Sequence, residues 1–175
     1  MPERDRPIPG RAAPASDRAR LRTFFLRFAL GFVLLEAFVY VVLWHERWFT
    51  PYGALNARVV AAFLRPFLEV EAMGEHLVSP TFSIAVRPGC DGYQASAVLL
   101  AGVLAFPASQ KRKWLGAALG VAALLALNLL RLAALLWTGV HHPEHFELMH
   151  ITVLPGLFVG VSLFLLLAWA HWARD

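Results

Sequence analysis

Residues 114–137 read WLGAALGVAALLALNLLRLAALLW, 24 residues bounded by tryptophans and apolar except for Asn128 and Arg131. At 1.5 Å of rise per residue this stretch reaches about 36 Å as a helix, enough to cross a hydrocarbon core of about 30 Å. Tryptophan is favoured at membrane–water boundaries, so the two indoles mark the ends of a spanning helix. Working outward, PASQKRK at 107–113 is a short basic connection, and the apolar run before it begins at Cys90 or Tyr93 and stops at Phe106, ahead of Pro107. Further out, Thr23–Trp44 and Ile151–Trp172 are each long enough to span. The whole chain fits this reading. It has 175 residues, 58% hydrophobic and 16% charged, and a mean hydropathy of +0.56 that excludes an ordinary soluble globule.

The remaining segments are of other kinds. Residues 1–20, with four prolines and mixed charges, are expected to form a flexible tail ahead of one integral-membrane domain, 21–175. Ala54–Leu68 sets Leu55, Val59, Phe63 and Phe67 at four-residue spacing apart from Asn56, Arg58 and Arg65, as suits an amphipathic helix on the outer interface. Between Val70 and Arg87, Phe82, Ile84 and Val86 alternate with Thr81, Ser83 and Ala85, which predicts a small β-hairpin or, failing that, an irregular loop. The expected fold is an all-α polytopic bundle of about four transmembrane helices, with an extracytoplasmic amphipathic helix and this hairpin.

Orientation follows from Lys and Arg. Seven lie in the segment through Arg27 and three in the 107–113 loop, none in 138–150, and four arginines are balanced by four acids in 45–89. Both termini are therefore expected in the cytoplasm, and the net charge of +4 reflects this orientation rather than a nucleic-acid partner. Cys90, Arg131 and His150 then all fall near outer ends of spans. A guanidinium within a span is costly, about 2.5–3.5 kcal/mol even on the insertion scale, and persists where it faces a cavity or partner or can snorkel. Asn128 shares its helical face, either lining the same pocket or hydrogen-bonding a neighbouring helix.

Cys90 is the sole cysteine, so disulfides and multi-cysteine metal sites are excluded within the chain. In Arg87-Pro88-Gly89-Cys90-Asp91-Gly92-Tyr93 the chain breaks just before a helix, at whose N-terminus a thiolate is favoured. A histidine such as His150 can accept and return a proton near neutral pH, and an arginine such as Arg131 can stabilise a thiolate or an oxyanion. Glu36, at comparable depth in the first span, is a candidate partner for Arg131, with a partner elsewhere as the alternative. His141, His142 and His145 raise the possibility of a metal or small-ligand module, or an assembly factor, but their spacing lacks a metal-ligand pattern, and no metal or cofactor is expected.

Cys90-Asp91-Gly92 at the head of a span, Asn128-Leu-Leu-Arg131 in the next and His150 before the last resemble the exosortase/archaeosortase family. The likeness covers roughly residues 30–170 and is to the short, exosortase H-like forms. It implies Cys90 as nucleophile, Arg131 as stabiliser and His150 as general acid-base, with Asn128, Asp91, Gly92, Glu36 and His145 around them; His145 is the competing candidate for the working histidine. It also implies an inner-membrane cysteine transpeptidase or protease whose site faces outward. The partners would be membrane lipid and exported proteins that carry a C-terminal hydrophobic sorting helix of PEP-CTERM-like type, processed through a thioacyl intermediate.

Overall fold

The computed structural model describes residues 14–43, 46–88 and 92–174. Its elements are α1 (Pro14–Phe38), which runs into a π-helical turn (Val39–Leu43), then α2 (Glu46–Leu64), β1 (Glu71–Met73), β2 (His76–Val78) and β3 (Ser83–Ala85). After them come α3 (Tyr93–Ala105), α4 (Gln110–His141), a 3₁₀ turn (Pro143–His145), the single turn α5 (Phe146–Leu148), a second π-helical turn (Met149–Val153) and α6 (Leu154–Trp172). The protein is an all-α membrane protein with one small sheet. Among the described residues three helical segments are long and apolar enough to cross a bilayer: Arg18–Val41, Gln110–His141 and Pro143–Trp172.

Two expectations need revising. The second expected span, α3, has 13 residues and rises about 20 Å, too little to cross a core of about 30 Å alone. The expected tail is helical from Pro14 onward, because alanine, arginine and leucine between Arg18 and Arg22 propagate a helix well and proline suits a first turn. Residues 1–13 of the tail lie outside the described residues.

The ends of α3, α4 and α6 beside the basic 107–113 loop are fastened together. Trp169 Nε1 donates to the Arg112 carbonyl at 3.1 Å, Arg112 Nη1 donates to the Ala173 carbonyl at 3.0 Å, and Lys113 Nζ donates to the Leu104 carbonyl at 2.8 Å. Gly116 leaves the room that the Trp169 indole fills, and Gly120 does the same for Leu99. α1 runs antiparallel to α3, from Phe24 beside Phe106 to Leu35, whose carbonyl accepts the Tyr93 hydroxyl at 2.6 Å. One core, Ala95, Leu99, Val103, Leu124 and Phe158, joins α3, α4 and α6.

A second core lies towards the other end of α4. There Leu132, Leu135 and Leu136 meet the inward stripe of α2, Ala57, Val60, Ala61 and Leu64, and residues Leu77, Ile84 and Val86 from the sheet segment. The sheet is a three-stranded antiparallel meander, with Ala72 opposite Leu77 and Leu77 opposite Ile84. Gly74, φ +60°, takes the first central position of the β1–β2 loop, where a type II′ turn requires glycine. The expected alternation holds: Ile84 and Val86 are buried and Phe82 packs on the core, while Thr81 and Ser83 are exposed. Leu55, Val59, Phe63 and Phe67 form an exposed apolar row on the side of the α2 segment away from the core, as suits contact with the interface.

This division predicts unequal responses to truncation. Leu136→Ala, in the fully buried outer core, should lower unfolding stability by about 2–5 kcal/mol. Leu119→Ala, at a position 62% exposed on the protein surface, should leave it nearly unchanged. Thermal unfolding of the purified protein in detergent checks both.

Candidate active site

Gly92 caps α3 in the left-handed region, φ +73°, and no side chain caps the helix there. Glycine is required on two counts: an L side chain is strained at this φ, and a Cβ would come within 3.0 Å of Asn128 Cβ and 3.2 Å of Phe158 Cζ. The Gly92 carbonyl accepts both the Ser96 amide, at 3.2 Å, and the Ser96 hydroxyl, at 3.1 Å. The chain thus enters α3 pressed against α4 and α6.

Depth can be read along α4. Trp114 lies beside the fastened ends, and Asn128 is 14 residues further on, so Gly92 sits about 21 Å up the bundle. Arg131 lies about 26 Å up by the same measure. In a core of about 30 Å both are recessed beneath the surface at the far end from the basic 107–113 loop.

A cavity of about 280 Å³ opens there, lined by Gly92, Gln94, Arg131, His150, Pro155 and Phe158 among others. The Arg131 guanidinium carbon stands 5.9 Å from the centre of the Phe158 ring, and no ion pair joins Arg131 to a described residue. A cation so placed, held by an aromatic face and not neutralised by a described carboxylate, is available to an anion in the cavity. His150 belongs to the π-helical turn before α6, a local widening of the helix often found at functional positions. Its ring lies 5.5 Å from that of Phe146, which lies 4.8 Å from Phe82 in the segment leading into β3. Gly139 makes room for Phe82 on α4, so the outer sheet buttresses His150 through two aromatic rings.

The other expected site residues separate into groups. Cys90 and Asp91 lie outside the described residues; Gly92, which follows them directly, lines the cavity. Asn128 is fully buried beneath Gly92, and neither its Nδ2 nor its Oδ1 has a hydrogen-bond partner among the described residues. His145 is exposed and sits 3.1 Å from Glu144 Oε1, away from the cavity that His150 lines. Glu36 lines a neighbouring pocket, and no ion pair connects it with Arg131 among the described residues. His141 stacks on Trp137 and its Nδ1 lies 3.0 Å from the Trp137 carbonyl; among the described residues no group of three His, Cys, Asp or Glu side chains could hold a metal. Gln94 and Phe158 were missed from sequence. A glutamine in the first turn of a span was a usable signal for the former, whereas nothing distinguished Phe158 from its apolar neighbours.

Two substitutions probe this packing. Gly74→Ala, where a Cβ meets nothing, should cost only the left-handed penalty of about 1–2 kcal/mol, and Gly92→Ala should cost more because Asn128 must also move. Asn128→Leu, close in shape but without an amide that has no partner among the described residues, should leave the unfolding temperature unchanged or raise it. Differential scanning fluorimetry of the variants tests both expectations.

No curated protein and no solved structure matches the chain. The family model of the transmembrane exosortases matches residues 14–169, which takes in every described element from α1 to most of α6. By that match the chain belongs to the transmembrane exosortase family.

Proposed function

We propose that the protein is a cysteine transpeptidase or peptidase that cuts the C-terminal sorting signal of exported, membrane-tethered proteins. The observation that carries this reading is the meeting of Arg131 and His150 with Gly92, two positions after the only cysteine, around one recessed cavity. Family membership adds the expectation of exported substrates with a C-terminal signal.

In this mechanism the Cys90 thiolate attacks a backbone carbonyl near the substrate's C-terminus, and a carbon–sulfur bond forms as the carbonyl π pair moves onto oxygen. Arg131 stabilises the resulting oxyanion. His150 then protonates the departing amine as the carbon–nitrogen bond breaks, which releases the hydrophobic tail and leaves a thioester on Cys90. An incoming amine or water, deprotonated by His150, attacks the thioester and restores the thiol. The amine outcome is transpeptidation and the water outcome hydrolysis. Asn128, beneath Gly92, supports the turn that leads from the nucleophile into α3. The basic N-terminal segment and 107–113 loop support a topology with both termini in the cytoplasm, in which the cavity opens at the extracytoplasmic side of a multi-pass inner-membrane protein.

The test is mass spectrometry of the C-terminal peptides of exported proteins in the native host, wild type against Cys90→Ala at matched expression. A set of proteins should keep its hydrophobic tail only in the mutant; identical profiles would overturn the proposal. Arg131→Ala should slow processing by about 10²–10³-fold, as for loss of an oxyanion donor. His150→Ala should slow it by about 10²–10⁴-fold, whereas His145→Ala should have little effect.

A further inference from the structure

A second pocket adjoins the cavity at Arg131 and His150. Gln94, Ala95 and Val159 line both, and the other walls of the second pocket, of about 320 Å³, include Phe32 and Glu36 on α1 and Val98 and Ser162 further down. α1 and α6 each pack on α3 and make little contact with one another, so the second pocket is a gap between them floored by α3. Val159, at one edge of this gap, is 54% exposed on the protein surface. The gap is thus open sideways towards lipid and shares walls with the cavity at Arg131 and His150.

Its polar groups are unequal. The Ser162 hydroxyl is committed, donating to the Ala95 carbonyl at 3.0 Å. Glu36 is not: its Oε1 is buried and has no hydrogen-bond partner among the described residues. A buried carboxyl oxygen facing an apolar gap at membrane depth is costly to maintain, and residues of this kind mark the binding of a polar group. What it lacks is a donor.

We infer that the gap between α1 and α6 is a substrate subsite, which seats an apolar polypeptide segment and binds one of its side-chain hydrogen-bond donors at Glu36. This rests on the proposed function, and it names a specificity determinant of the same site. The shared walls at Gln94 and Val159 set the two pockets side by side, within reach of one chain that has its scissile carbonyl at Arg131 and a donor side chain, hydroxyl, amide or ammonium, at Glu36. The acidic group also argues for a polypeptide over an anionic lipid headgroup, which offers acceptors where a donor is needed.

C-terminal peptide mass spectrometry in the host tests this with four strains: wild type, Cys90→Ala, Glu36→Leu and Glu36→Gln, with detergent unfolding of each purified protein as the check on folding. Among proteins whose tails are retained in Cys90→Ala, Glu36→Leu should slow by about ten-fold or more those with a donor side chain at one fixed distance from the cut, and change the others by no more than about two-fold. Glu36→Gln keeps an acceptor oxygen and should restore most of the processing. Changing the donor to alanine in one affected substrate should make it insensitive to Glu36→Leu. Uniform loss across all substrates, or no change in any, would overturn the subsite while leaving the enzyme reading intact. Unaltered tails in Cys90→Ala would overturn both.

Discussion

A helix of 32 residues rises about 48 Å, well beyond the roughly 30 Å of apolar thickness it must cross, and α4 is such a helix. Much of the architecture answers that excess. Its inner half is largely covered by lipid, and few of its side chains there are buried in protein. From Asn128 onward the balance reverses, because apolar residues such as Leu132, Leu135 and Leu136 approach water and must be covered by something else. The cover is α2 and the three-stranded sheet. One long helix thereby carries both the membrane anchor and the platform for an outer cap, with Arg131 where the two regimes meet.

The cap explains why the site is held rather than merely exposed. A short helix such as α3 begins below the membrane surface, so its entry turn has protein on several sides. Gly92 is forced against Asn128 and Phe158, and the two π-helical turns fall in α1 beyond the carbonyl that Tyr93 captures and in the turn that bears His150. A buried amide with no hydrogen-bond partner among the described residues costs stability, and π-helical turns often fall at functional positions.

Much of this was legible in the residues. Long apolar runs bounded by tryptophan or basic clusters located the spans, because the bilayer imposes a length that few other environments do. Alternation at 82–86 identified a strand, since a period of two survives even in a short element. Arg131 and His150 could be brought to one end by topology alone, since orientation and helix rise fix depth. What was not legible depended on partners. The α2 stripe that enters the core is built largely of small residues, Ala57, Val60 and Ala61, while its large apolar residues face outward as expected of an interfacial helix, so the packing of α2 on α4 carried no signal in hydrophobic size. Glu36 and Arg131 share a depth but not a pocket, because depth says nothing about rotation around the bundle axis. The early start of α1 was likewise a matter of context, whereas the short run from Tyr93 to Phe106 already stood in the residues.

The fastening of the bundle is lopsided. At the basic end, indole, guanidinium and ammonium donors lock α3, α4 and α6 to one another. At the opposite end, the Tyr93 hydroxyl donates to the Leu35 carbonyl, and α1 makes little contact with α6. α1 is thus a leg held from one side, by its packing along α3. Bilayer thickness acts on the tilt of spanning helices in general. Of the helices in this bundle, the one supported from a single side is the one whose tilt the surrounding lipid reaches most directly.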